Sequence, residues 1–150
     1  MASRLFRRTV WGTAFAAACL GAAWAGAASV PAPKRVTLTG EVIDSWCQTT
    51  GIMFALGTAH HQCAIWCAVG GIPVGLRTDD GTLYTILRVD GDQRNVANPR
   101  LLQIQTHQIS VTADLIERDG NRYLLIDQVA DDHGIVNRTH GEYGIQPFGE

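Results

Sequence analysis

Hydrophobic and polar residues alternate with a period of two over several short segments of the chain. Residues 36–42 place apolar or small side chains at every second position, with threonine and glutamate between them, which predicts a strand ending near Ser45. The same alternation over residues 108–115 predicts a second strand, and residues 122–129 predict a third, after an Asp-Gly turn. These segments favour an all-β fold.

Turn and capping residues complete the predicted order. Residues 74–77 and 83–89 form a predicted hairpin around the Asp-Asp-Gly of residues 79–81. Asn98-Pro99 is a helix cap followed by proline, so a short helix is predicted over residues 100–105. The resulting order is strand, insert, strand, strand, short helix, strand, strand. It predicts an OB-fold-like Greek-key barrel of five strands, with the helix between strands 3 and 4.

An insert at residues 46–71 interrupts this pattern after the first strand. It contains Cys47 and then a predicted helical turn over residues 60–69, which ends at Gly70-Gly71. Trp46 and Trp66 each precede a cysteine, and both are expected to pack the insert onto the barrel, with the lining of a ligand cavity as the alternative role for either.

The insert also carries the residues that are candidates for chemistry: Cys47, His60, His61, Cys63 and Cys67. Successive helical residues turn by about 100°, so His60, Cys63 and Cys67 fall within a stripe of about 60°. His61 lies on a neighbouring face, and Cys47 arrives from the end of the first strand. Three thiols and a histidine suit zinc, thiolates also favour copper, and non-covalent haem stays open.

A disulfide is the alternative interpretation of the same cysteines. Cys47 bonded to Cys63 or Cys67 would stabilise the domain by roughly 3 kcal/mol in the chain-entropy model. Cys63 and Cys67 are poorly placed to pair within one helix. A thiol–disulfide enzyme is a third interpretation, but the sequence has neither a Cys-x-x-Cys pair nor a thioredoxin-like pattern.

The amino terminus predicts export. Three arginines within residues 1–27 precede an apolar, alanine-rich stretch, which is typical of a cleaved signal peptide, with cleavage near Ala27. Residues 28–35 then form a predicted linker, residues 36–130 the barrel, and residues 131–150 a polar tail. The expected location is periplasmic or secreted, with no stable membrane span in the mature chain; a lipid anchor on Cys19 or a retained signal is the alternative.

Composition excludes several function classes. Hydrophobic residues make up 46% of the chain and charged residues 17%, which argues against general disorder. The net charge is −2 and Lys34 is the one lysine, so no nucleic-acid partner is expected. There is no phosphate-binding loop, nucleophile elbow or paired-carboxylate motif, and catalysis is not expected. His107, His133 and His140 are weaker candidates, interpreted as strand or tail residues.

The chain resembles small exported bacterial OB-fold proteins, and in particular a cysteine-bearing subset of them. The resemblance is carried by residues 37–44 (TLTGEVID), residues 111–113 (VTA), Cys47, residues 60–67 (HHQCAIWC) and residues 70–75 (GGIPVG). It implies the fold and an exported location, and it assigns no catalytic residue.

Together these features predict a periplasmic accessory module that binds a metal or haem at the insert, for delivery or electron transfer. The alternative is a disulfide-stapled OB-fold module that binds a small ligand or a partner protein without a cofactor. The expected partners are a metal ion or small ligand and a periplasmic protein.

Overall fold

Five strands form a closed barrel in the computed structural model, which describes residues 32–53, 55–94 and 98–138. The strands are β1 (Lys34–Asp44), β2 (Val74–Thr78), β3 (Leu83–Val89), β4 (His107–Arg118) and β5 (Asn121–Ile135). They pair in the order β1-β2-β3-β5-β4, with β4 returning to β1. β3 and β5 are parallel, and the other pairs are antiparallel. This confirms the predicted all-β, OB-fold-like barrel.

Three helices lie in the described part of the chain. α1 (Ser45–Thr50) and α2 (Gly57–Val69) occupy the predicted insert, and α3 (Pro99–Gln103) lies between β3 and β4, as predicted. Asn98 caps α3, because its side chain accepts hydrogen bonds from the first free backbone N–H groups of the helix. None of the described helices combines the length and apolar character that crossing a membrane requires.

The barrel core is formed by the inward-facing side chains of all five strands. In β4 the alternation predicted from the sequence is observed directly, since Ile109, Val111 and Ala113 are fully buried and the residues between them are not. Leu124 and Ile126 of β5 are also fully buried in this core. Removal of this apolar surface from water stabilises the barrel.

Several boundaries differ from the prediction: β1 begins at Lys34, inside the predicted linker, and α3 ends at Gln103. β5 continues to Ile135, beyond the predicted end at Val129, because its polar end pairs with the start of β4 through backbone groups, which hydropathy does not report. α2 begins at Gly57 rather than at His60, and α1 was not predicted. The predicted signal peptide, residues 28–31 of the predicted linker, and the tail beyond Arg138 with His140 lie outside the described residues.

Candidate metal centre

The end of β1 is buried on both faces of the strand, and the candidate site lies beside it. Residues 40–44 are all buried, whereas exposure varies along the earlier part of the strand. Val42 belongs to the barrel core. Glu41 is also buried, and its Oε1 accepts a hydrogen bond of 2.5 Å from the backbone N–H of Gly57, at the start of α2. The strand therefore supports both the barrel and the insert.

Small residues let α2 lie close to the barrel. Its buried positions are Gly57, His60, Ala64 and Ala68, which recur at helical spacing along one face. Gly57 has φ +62°, and a Cβ atom there would lie 2.6 Å from the carbonyl oxygen of Val136. A larger residue would displace the start of the helix. His60 is the one large polar side chain within this stripe, and it is only 1% exposed.

Asp44 joins the two helices of the insert. One of its carboxylate oxygens caps α1 by accepting a hydrogen bond of 2.8 Å from the backbone N–H of Cys47. The other lies 2.5 Å from Nε2 of His60, and both side chains are fully buried. Burial raises the pKa of Asp44, but the hydrogen bonds from His60 and from the Cys47 backbone outweigh it and hold this pKa below its usual value.

The second ring nitrogen of His60 has no hydrogen-bond partner among the described residues, although it is buried. In an imidazole whose Nε2–H donates to Asp44 and whose Nδ1 carries no proton, Nδ1 has a lone pair that can bind a metal ion. A buried polar atom without a partner is costly in a folded protein and indicates a missing ligand or a functional role. A metal ion would satisfy it, and a carboxylate on the opposite nitrogen is the usual support for a histidine that binds metal.

Two thiols lie beside this histidine, and a third lies beside Cys47 and Asp44. The ligand atoms of Cys47, His60 and Cys63 all lie within 4.8 Å of one another, and so do those of Asp44, Cys47 and Cys67. Cys47 belongs to both groups and is 3% exposed, while Cys63 and Cys67 are partly buried. The predicted proximity of His60, Cys63 and Cys67 to Cys47 is therefore observed. All three cysteines are free, so no disulfide joins them.

Negative groups around the site penalise thiolate formation when no cation is present. Burial, followed by the charge of Asp44 and the neighbouring thiols, raises the pKa of Cys47 to about 12. The same causes raise the pKa of Cys67 to about 11, burial again coming first. A bound cation would reverse this effect by stabilising the thiolates directly.

His61 lies outside both ligand groups. Its Nδ1 is 3.0 Å from the carbonyl oxygen of Gln105 and 2.9 Å from Oγ1 of Thr106, so it connects α2 to the segment between α3 and β4. His107 and His133 lie beside Asp132 and Asp131 respectively, also apart from the cysteines.

The prediction that Trp46 and Trp66 pack against the barrel is wrong. Their exposed fractions are 55% and 68%, and Ile52 and Met53 in the connection between α1 and α2 are exposed as well. Trp66 follows the buried Ala64 by two residues, or about 200° around the helix, and therefore faces away from the barrel. Trp46 and Trp66 adjoin Cys47 and Cys67 in the sequence, and Met53 lies beside Cys63.

Two residues near the site were not among the sequence candidates. Asp44 could have been recognised as the acidic cap that follows the first strand, three residues before Cys47. Met53 lies in an irregular connection, and its Sδ is 3.7 Å from Sγ of Cys63. No periodicity marks such a position, since only the folded insert brings the two sulfur atoms together.

Comparison with protein-family models, curated proteins and solved structures found no match for this chain. The resemblance to exported OB-fold proteins therefore stays a prediction, and the functional argument is carried by the geometry of the site.

Proposed function

We propose that this protein is an exported accessory module that binds one transition-metal ion through Cys47, His60, Cys63 and Cys67. The observation that carries the proposal is the buried His60: one of its ring nitrogens lies within 4.8 Å of the Cys47 and Cys63 sulfur atoms, and its Nδ1 has no hydrogen-bond partner among the described residues. Three cysteines and one histidine form a common donor set for a closed tetrahedral zinc site, and the thiolates also suit copper.

Asp44 is assigned a positioning role in this proposal. Both of its carboxylate oxygens already accept hydrogen bonds, one from the Cys47 backbone and one from His60. It fixes the histidine ring and the start of α1, and its charge supports the basicity of the imidazole.

A haem is a poorer match to this cluster than a single ion. Haem iron takes protein ligands at its two axial positions, because the porphyrin supplies the others. Here three donor atoms from Cys47, His60 and Cys63 lie within 4.8 Å of one another. The donor set thus exceeds what a haem iron accepts.

The alternative function, binding of a small ligand by the barrel, has weaker support. A cleft of about 440 Å³ lies between the end of β1 and the β2–β3 hairpin, lined by residues such as Ser45, Thr49, Gly75 and Tyr84. Its volume is within the range of ligand sites, but such sites are predominantly apolar and aromatic. The hydroxyl and glycine lining of this cleft differs from that pattern.

Zinc titration with the Cys47→Ser variant tests the proposal. A four-ligand zinc site provides roughly 10–16 kcal/mol in all, so loss of one ligand is expected to cost on the order of 100-fold in affinity. Wild-type protein should bind one zinc ion, and its three thiols should resist alkylation until a chelator is added. Equal and weak binding of both zinc and Cu(I) by the two proteins, with rapid alkylation of the wild type in the presence of either metal, would contradict the proposal.

Export is part of the proposal and needs its own test. It is supported by the three arginines and the apolar stretch within residues 1–27. Amino-terminal sequencing of the protein from expressing cells should give a start near Ala28. An intact Met1 on cytoplasmic protein would contradict export and leave the metal site unaffected.

A further inference from the structure

The connection between α1 and α2 brings a thioether to the outer edge of the cysteine cluster. Met53 Sδ lies 3.7 Å from Sγ of Cys63, although the two residues belong to different segments of the insert. Met53 is 51% exposed, and Trp46, Ile52 and Trp66 of the insert are exposed as well. A methionine sulfur beside a candidate thiolate ligand is itself a potential ligand.

The chemistry of a thioether distinguishes between metals. Zinc in proteins is bound by thiolates, imidazoles and carboxylates, whereas thioether sulfur is a neutral, soft donor that favours Cu(I). Met53 therefore adds a donor that is useful to Cu(I) and of little use to zinc. His60 and the thiols are compatible with either ion.

The candidate ligands also differ in how deeply they are buried. Met53 is half-exposed, Cys63 is partly buried, and Cys47 and His60 are almost completely buried. An ion arriving from solvent therefore meets Met53 and Cys63 before it reaches the buried Cys47 and His60.

From this arrangement we infer that the metal centre is selective for Cu(I), with Met53 as its outermost ligand beside Cys47, His60 and Cys63, in the coordination position that Cys67 takes in a zinc site. This inference depends on the proposed function, because it specifies the ion held by the same cysteine and histidine cluster. It adds a residue that a zinc site would not use, and therefore separates the two assignments.

Methyl NMR tests the inference without any substitution. The chain contains two methionines, Met1 and Met53, so a protein labelled with ¹³C at the methionine methyl groups has one signal from the insert. One equivalent of Cu(I), supplied anaerobically as its bicinchoninate complex, should shift the Met53 signal. One equivalent of zinc should leave that signal near its position in the metal-free protein.

The Met53→Leu variant provides the energetic test, with Ile52→Ala as its matched control. Met53→Leu keeps an apolar side chain of similar size but removes the sulfur, and it should lower Cu(I) affinity about tenfold, the low end of what supporting residues contribute at metal sites. Zinc affinity should change by less than about twofold on the same scale. Ile52→Ala alters the adjacent exposed apolar residue and should leave both affinities unchanged.

The outcomes separate this inference from the proposed function. Tight binding of both metals with no effect of Met53→Leu on Cu(I), or with equal effects on both, would overturn the Cu(I) assignment and preserve the metal site. Preference for zinc over Cu(I) in direct competition would likewise overturn the Cu(I) assignment and preserve the metal site. Failure of the wild type to bind either metal would overturn both.

Discussion

The barrel and its helical insert are stabilised in different ways. The exterior of the barrel carries paired charges, such as Arg35 and Arg88 with Asp127, and Arg122 with Glu117. From Ser45 to Leu76 the sequence contains no aspartate, glutamate, lysine or arginine. In this stretch the surface is apolar or uncharged, and the potential ionic groups are thiols and histidines.

The barrel and the insert also differ in the side chains that they bury. The barrel buries large aliphatic side chains such as Leu124 and Ile126 completely. The insert buries a glycine, two alanines and His60 on the inner face of α2, while Trp46 and Trp66 stay exposed. Less apolar surface is removed from water there, so a smaller hydrophobic contribution holds the insert in place. The barrel therefore has the larger apolar core, and we expect the insert to depend more than the barrel on the proposed metal ion for its stability.

The largest expected effect on stability is in the barrel. Leu124→Ala should lower the free energy of unfolding by about 2–5 kcal/mol, because it removes buried methyl groups and leaves a cavity. The loss should be similar with and without bound metal. Urea denaturation under both conditions measures it, and a loss that disappears in the metal-loaded protein would contradict the separation of the two regions.

A matched pair of histidine variants examines the insert. His60→Ala removes a proposed ligand and should weaken zinc binding by on the order of 100-fold, as for the other ligands. His61→Ala should leave zinc affinity almost unchanged, since its Nδ1 contacts Gln105 and Thr106 outside the ligand groups. It should instead cost about 1 kcal/mol of unfolding free energy through the lost hydrogen bond. Equal effects on zinc affinity in a competition titration would refute this assignment.

Asp44→Asn should have a smaller effect on metal binding. Asparagine is also a good helix cap, so α1 should keep its start, but the negative partner of His60 is lost. Zinc affinity is expected to fall by about 10–100-fold, the range for groups that orient metal ligands. Asp119→Asn, at the exposed β4–β5 turn, is the control. An Asp44→Asn protein with unchanged zinc affinity would contradict the positioning role assigned to Asp44.

The smallest effect concerns the charges of the barrel surface. The Arg35 hydrogen bond, opposed by burial and assisted by Arg88, lowers the pKa of Asp127. A carboxyl with a lowered pKa in the folded state adds stability above its unfolded pKa of about 3.9, and this stability is lost as the pH falls through the folded value.

Asp127→Asn should therefore destabilise the protein slightly at pH 7, and its difference from wild type should shrink below about pH 4. Calorimetry across this pH range measures the difference. Metal affinity at pH 7 should not change, and a difference that grows as the pH falls would contradict the assigned direction.

The sequence predicted the features that depend on local periodicity. The alternation in β4, the cap at Asn98 and the common face of His60 and Cys63 all follow from the angle between successive residues. Asp44 was missed because its partner His60 is distant in sequence and meets it only after α2 folds against β1. Met53 was missed for a similar reason. The exposure of Trp66 was not predicted because its hydrophobicity was given more weight than its position around the helix.

Native mass spectrometry of the protein isolated from expressing cells tests the central claim most directly. Mild ionisation preserves coordinated metal, so the account predicts a mass equal to the chain plus one transition-metal ion, with Cys47, Cys63 and Cys67 all unmodified by an alkylating reagent. Removal of the metal with a chelator should make all three thiols reactive. A metal-free mass that is two hydrogens lower, with one reactive thiol, would show a disulfide among these cysteines and contradict the account.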